Sequence, residues 1–229
     1  MLPVAVAAAI VAGAAVSAAG HSGGHGPGAT SQRVSVSAGQ VTAVGLQAVP
    51  GHLSVVSTTS GRAALTGVLD WTGRHAPAAR TRLSGHRLSL SYQCGRASPC
   101  TASWRLVVPR HAAVTLQVPA GYVAIAGLAG PLQITASSVD ISATGLACSR
   151  LDAAITSGHL GAVFRAAPEQ VSISLTSAQS TVRLPANVAY AVSDQVTSGY
   201  IQVGIPQAGS SPRTVTATVL SGEIALLPA

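Results

Sequence analysis

From Val114 onward the apolar positions fall on every second residue, break step once and resume, and this figure recurs six times up to Ala229. Aligned on Ala120, Ser138, Ser157, Ser177, Ser198 and Ser221, the copies lie 18, 19, 20, 21 and 23 residues apart. Six residues before the anchor stand Val114, Leu132, Leu151, Val171, Val192 and Val215, and two before it Val118, Ala136, Ile155, Leu175, Val196 and Val219. Three after it come Val123, Ile141, Leu160, Ser180, Ile201 and Ile224, and five after it Ile125, Ala143, Ala162, Val182, Val203 and Leu226. Only Ser180 interrupts these columns. Alternation with period two is the mark of a half-buried strand. The slip falls at the anchor, in Thr156-Ser157-Gly158, Thr197-Ser198-Gly199 and Leu220-Ser221-Gly222, with Ala120-Gly121 as a variant. That marks a corner, because Gly reaches dihedrals closed to other residues and Ser bonds to nearby backbone.

Each copy therefore reads as strand, corner, strand and a connector of variable length. Stacked in parallel about 4.8 Å apart, equivalent apolar residues form one continuous interior. The fold expected is an all-β stacked-strand repeat, β-solenoid or parallel β-helix in kind; a β-sandwich of hairpins, with Ser-Gly at the turns, is the alternative. Residues 34–229 form a single β-repeat domain, with an irregular part at 34–113 and six repeats at 114–229. In the irregular part strands are expected at Val34 to Val36, Leu53 to Val56, Leu88 to Tyr92 and Trp104 to Val108. Ser60-Gly61 and Ser84-Gly85 echo the anchor without the columns. This half is expected to close the open edge of the stack. No helix of useful length is expected beyond residue 20.

Residues 1–19 read as a signal peptide or an N-terminal membrane anchor. Residues 2–19 are apolar without interruption but rich in Ala, near the lower limit for crossing a bilayer. Val16-Ser17-Ala18 fits a signal-peptidase site, while the basic n-region is missing, so either the amino terminus serves alone or the start lies upstream. Residues 20–33, GHSGGHGPGATSQR, read as a flexible Gly-rich linker. Cleavage after Ala18 would leave Ala19-Gly20-His21 as the new start, and a free amine with His two residues on can offer four nitrogens to Cu(II) or Ni(II). Otherwise His21 is a solvated linker residue.

Composition narrows the chemistry. Aromatics are 3% of the 229 residues, so the core depends on Val, Ile, Leu and Ala. The net charge of +7 comes from scarce acids, six against thirteen bases, and gives a mild preference for anionic surfaces. Arg74, Arg80, Arg82 and Arg87, with His75 and His86, form an acid-free stretch. It fits a wall polymer or lipid headgroup, or a solvated face whose Arg discourages edge pairing. Nucleic acid is not an expected partner, given export and the lack of aromatics among the bases. Cys94 and Cys100 flank a short loop and read as a local disulfide closing a hairpin; a two-Cys metal site would need ligands that are not nearby. Cys148 is left over and reads as a small buried residue.

Two residues after the anchor runs a polar series, Tyr122, Asp140, His159, Gln179, Tyr200 and Glu223. Asp140 and His159 belong to adjacent copies and should be neighbours, able to orient a base or hold a metal, or simply to form a surface pair. Glycosidase carboxylates sit roughly 5 to 9.5 Å apart. Asp140 and Glu223, four copies apart, are expected about 19 Å distant. Asp152 and Asp194 differ in phase and Glu169 lies in a connector. No phosphate-binding glycine loop, nucleophile elbow or two-His zinc motif occurs. No catalytic residue and no cofactor are therefore expected, and a carbohydrate-active enzyme on a β-helix is the alternative.

The runs VPAGYVAIAGLAGPLQITASSVDISATGL, ITSGHLGAVF, VTSGYIQVGIP and VLSGEIALLPA resemble the bacterial putative-adhesin family, a domain family of unknown function that repeats Thr-Ser-Gly-x-apolar-x-apolar. The resemblance covers roughly Leu53 to Ala229 and is weakest before Leu116. It implies an exported or membrane-anchored stacked-strand protein with no assigned catalytic residue. The missing n-region, Ser180 and Asp194 depart from the pattern. The resulting expectation is a non-enzymatic interaction or structural module of the cell envelope. Its partner would be a cell-surface or extracellular protein or polymer, with possible membrane association through residues 2–19.

Overall fold

Each of the six copies becomes one long strand bent at its anchor, and all six stack in parallel. The computed structural model describes residues 14–19, 29–72, 74–94 and 100–229. In chain order the strands are β1 (Ala14–Ala19), β2 (Ala29–Gly39), β3 (Ala43–Gln47), β4 (Gly51–Thr58), β5 (Arg62–Thr72), β6 (Ala78–Ser84) and β7 (Arg87–Gln93). Then follow β8 (Cys100–Pro109), β9 (Ala113–Ala126), β10 (Leu132–Leu146), β11 (Arg150–Phe164), β12 (Gln170–Leu184), β13 (Ala191–Val203) and β14 (Thr214–Pro228). No helix is present among the described residues.

The repeat alignment is reproduced by the hydrogen-bond register. Ser138 pairs with Ala120 and Ser157, Ser157 with Ser177, Ser177 with Ser221, and Ser221 with Ser198. The corner is a backbone matter. Gly222, at φ +140, sits so close to the strand beside it that a Cβ would collide with the Ala178 carbonyl oxygen. In β10 and β12 the same position is filled by Val139 and Ala178, both buried.

The spatial order differs from the chain order. β14 lies between β12 and β13, so the sixth copy continues the core and the fifth copy forms the end of the sheet. The connectors make this possible. Residues 185–190 and 204–213 are longer than the three-residue link at 147–149. Ser211 Oγ ties the two to each other by donating to the Ala189 carbonyl at 2.7 Å, and Arg213 Nη1 ties them to the connector between β11 and β12 by donating to the Ala167 and Pro168 carbonyls at 2.9 and 3.0 Å. The swap explains a sequence mismatch, because Asp194, at a position apolar elsewhere, lies exposed on β13 where nothing covers it.

At β9 the sheet divides. Its first arm pairs with β3, which leads to β7 and β6; its second arm pairs with β4, which leads to β8, β5, β2 and β1. β3 and β4 together make a seventh, broken copy, with Val44, Leu46, Leu53 and Val55 in register with Val114, Leu116, Val123 and Ile125. The two branches face each other across a core that holds Leu46, Leu88, Leu90, Leu65, Leu106 and the Tyr92 and Trp104 rings, which meet edge to face at 5.8 Å.

Several expectations need correction. Ser84-Gly85 is the turn of the β6–β7 hairpin and Ser60-Gly61 the link between β4 and β5, so neither is a corner. Cys94 and Cys100 are bonded, but β7 and β8 do not pair with one another, so the bridge joins the two branches instead of closing a hairpin. Tyr92 Oη donates to Cys100 Sγ at 3.1 Å. The irregular half covers the β9 edge of the stack with β3 and β4 and, among the described residues, ends in two further strands, β6 and β1. β2 begins at Ala29, inside the stretch read as linker, because Ala29 to Arg33 continue the ladder with β5. Residues 14–19, within the apolar leader, form β1 and pair with β2; residues 1–13 and the His21 candidate lie outside the described residues. Among the described residues no helix is long and apolar enough to cross a membrane, which says nothing of strands. Cys148 is buried and unpaired, and burial pushes its thiol up to about 11, outweighing a backbone hydrogen bond.

Candidate functional site

The register carries the polar series of the repeats into one unbroken row. His52, Tyr122, Asp140, His159, Gln179, Glu223 and Tyr200 follow one another across β4, β9, β10, β11, β12, β14 and β13. All are exposed. Each is followed along its strand by a buried or half-buried residue, Leu53, Val123, Ile141, Leu160, Ser180, Ile224 or Ile201, so the pleat turns it to the outer face. At neighbouring positions the spacing is that of the strands, about 4.8 Å.

Asp140 and His159 are neighbours in register, as the repeat spacing requires, but no hydrogen bond or ion pair joins them. Glu223 is closer to Asp140 than a linear stack implies. With β14 beside β12, three strand spacings separate them, roughly 14 Å instead of 19. That is still beyond the separation of a glycosidase pair. Among the described residues no group of three His, Cys, Asp or Glu is placed to hold a metal ion.

Arg74, Arg80, Arg82 and Arg87 are not part of this row. Arg80 and Arg82 are exposed on β6, opposite Ser91 and Ser89 of β7, and Arg87 opens β7 with its guanidinium across Gly45 of β3. These three belong to the branch reached through the first arms of the repeats. Arg74 lies exposed before β6.

At the other end the row continues through Ser103 of β8, Val68 of β5 and Arg33 of β2. Here the outer face sinks into a cleft of about 450 Å³. Small side chains at Ser54, Thr66, Ser103 and Ala124 leave the depression, Arg33, Arg105, His52 and Tyr122 stand around it, and Leu53, Gly67 and Trp104 are part of its lining. The His52 and Tyr122 rings pack at 6.1 Å between centroids, tilted by 48°. Sequence reasoning missed the cleft. His52 was within reach of it, because Pro50-Gly51-His52-Leu53-Ser54-Val55 has the form of Ala120-Gly121-Tyr122-Val123-Ala124-Ile125. Arg33 and Arg105 were not, since they come from strands outside the repeat and only the topology brings them here.

No family model and no curated protein match this chain. Solved structures are similar to it, among them the following two. One, from Clostridium sporogenes, is described as a putative cell adhesion protein, with 12% identity, a TM-score of 0.48, and coverage of 83% of this chain and 94% of that one. The other, from Bacteroides fragilis, is described as a putative adhesin, with 12% identity, a TM-score of 0.46, and coverage of 88% and 98%.

Proposed function

We propose that the protein is a non-enzymatic, adhesin-like binding module of the cell envelope or extracellular space, and that it binds through the outer row from His52 to Tyr200. The observation that carries this reading is the continuity of that row over seven strands of a rigid parallel stack. A row of donors, acceptors and rings repeating at strand spacing suits a long partner, a polymer or an extended surface, better than a small substrate. The carboxylates within it are spread instead of paired, so they offer hydrogen bonds without forming an acid-base couple. A disulfide and an apolar leader both suit an oxidising compartment outside the cytoplasm.

The test is retention of the purified chain on immobilised extracellular polymers and on intact bacterial envelopes, with release of new reducing ends assayed in parallel. Tyr122→Ala and Tyr200→Ala should each weaken retention several-fold, while Arg82→Gln on the other branch leaves it unchanged. Reducing ends that appear with wild type and vanish with Asp140→Asn would replace the binding module by a carbohydrate-active enzyme.

A further inference from the structure

Among the described residues neither Arg33 nor Arg105 forms a hydrogen bond or ion pair, although both stand at a cleft. Elsewhere a long cation is put to structural use: Arg213 ties a connector to two carbonyls and Arg150 Nη2 donates to Gln170 Oε1 at 2.6 Å. The cleft has no acid in its lining. On that face the acids nearest by register are Asp140, one strand beyond Tyr122, and Asp70, two residues along β5 from Val68. They bound the site without neutralising it.

We infer that this cleft binds an anionic saccharide, a sugar residue bearing a carboxylate or sulfate, as part of the longer polymer taken by the outer row; the inference rests on the binding role proposed above. The two arginines come from β2 and β8, two strands apart and two residues out of step, so their Cα atoms lie about 12 Å apart and the two long side chains can reach one bound saccharide chain. A guanidinium fork meets a carboxylate or sulfate with two parallel N–H···O bonds, stronger than neutral ones. The His52 and Tyr122 rings, packed against each other on the opposite rim, offer an amphipathic surface to a pyranose ring. The hydroxyls of Ser103, beside His52 in register, and of Thr66, beside Arg105, line the cleft and can donate to or accept from sugar hydroxyls. A volume of about 450 Å³ takes one or two sugar residues, with the chain running on along the row toward Asp140 and His159. A bare inorganic anion would use the arginines and leave the ring pair and hydroxyls idle.

The experiment is calorimetric titration of the full chain with trigalacturonate, a sulfated galactan trisaccharide, a neutral trisaccharide and inorganic sulfate, at low and high salt. We expect saturable binding of one or both anionic saccharides, weakened by salt, with the neutral sugar at least tenfold weaker. The Arg33→Gln and Arg105→Gln double variant should lose at least tenfold in affinity, Tyr122→Ala several-fold, and Arg82→Gln nothing. Which anionic trisaccharide binds tighter identifies the substituent. No saturable binding to wild type, or undiminished binding to the double variant, overturns the inference. Sulfate binding as tightly as either saccharide overturns it as well, leaving a plain anion site. Polymer retention that depends on Tyr200 but not on Arg33 and Arg105 would sink the cleft while leaving the outer row intact as a binding surface.

Discussion

Ser180 is the buried polar side chain of the interior among the described residues, 2% exposed, with a hydroxyl that finds no partner. Its neighbours in register are Leu160 and Ile224. A buried donor and acceptor left unpaired costs about 1–3 kcal/mol. Ser180→Ala should therefore stabilise the fold by about 1 kcal/mol, seen as a higher urea midpoint at unchanged slope. A lower midpoint would mean that the hydroxyl is satisfied within the core. The interruption was visible in the repeat columns, because a single Ser among five apolar equivalents stands out. Its burial was not, since Asp194, four residues before its anchor where the other copies carry Leu116, Ile134, Ala153, Ile173 and Ala217, breaks the apolar alternation in the same manner and turns out exposed. Only the position of each strand in the sheet separates the two cases.

At the scale of the strand, the alternation, the slip at the anchor and the register between copies were all legible, because each is a local constraint of pleat and corner repeated at fixed phase. The order of the last two copies was not. Val196 and Val219 occupy the same column, yet Val196 is 43% exposed on β13 and Val219 1% exposed on β14. Val219→Ala should cost about 2 kcal/mol through lost packing and the cavity left behind. Val196→Ala should cost less than about 0.5 kcal/mol. Equal losses in chemical denaturation would restore a linear stack with β13 inside it. The increase of the repeat spacing to 21 and 23 residues was the available signal, since a strand that bypasses its neighbour's place needs a longer connector. The same topology shortens the Asp140 to Glu223 separation and places Tyr200 at the end of the row.

Across the whole molecule the two branches that grow from β9 are held by the core between them and by the Cys94–Cys100 bridge. With native protein and no reductant, alkylation at neutral pH should label no thiol, because Cys148 is buried and kept protonated. Unfolding should expose one thiol and reduction all three. Removing the bridge by Cys94→Ala and Cys100→Ala should lower stability by about 2 kcal/mol in the loop-entropy model. More than one thiol labelled in unreduced, unfolded protein would show the bridge absent. The sequence by itself determined the strand class, the corners, the inward and outward faces and the disulfide partners, because period, phase and short separation are properties that neighbouring residues impose on each other. The tertiary structure alone decided that the sheet divides at β9, that the fifth copy lies outside the sixth, and that Arg33 and Arg105 meet the end of the His52 to Tyr200 row. Those choices depend on which strands pair across long loops, and closing a long loop costs little more than closing a short one, so the residues along it carry no strong record of where it leads.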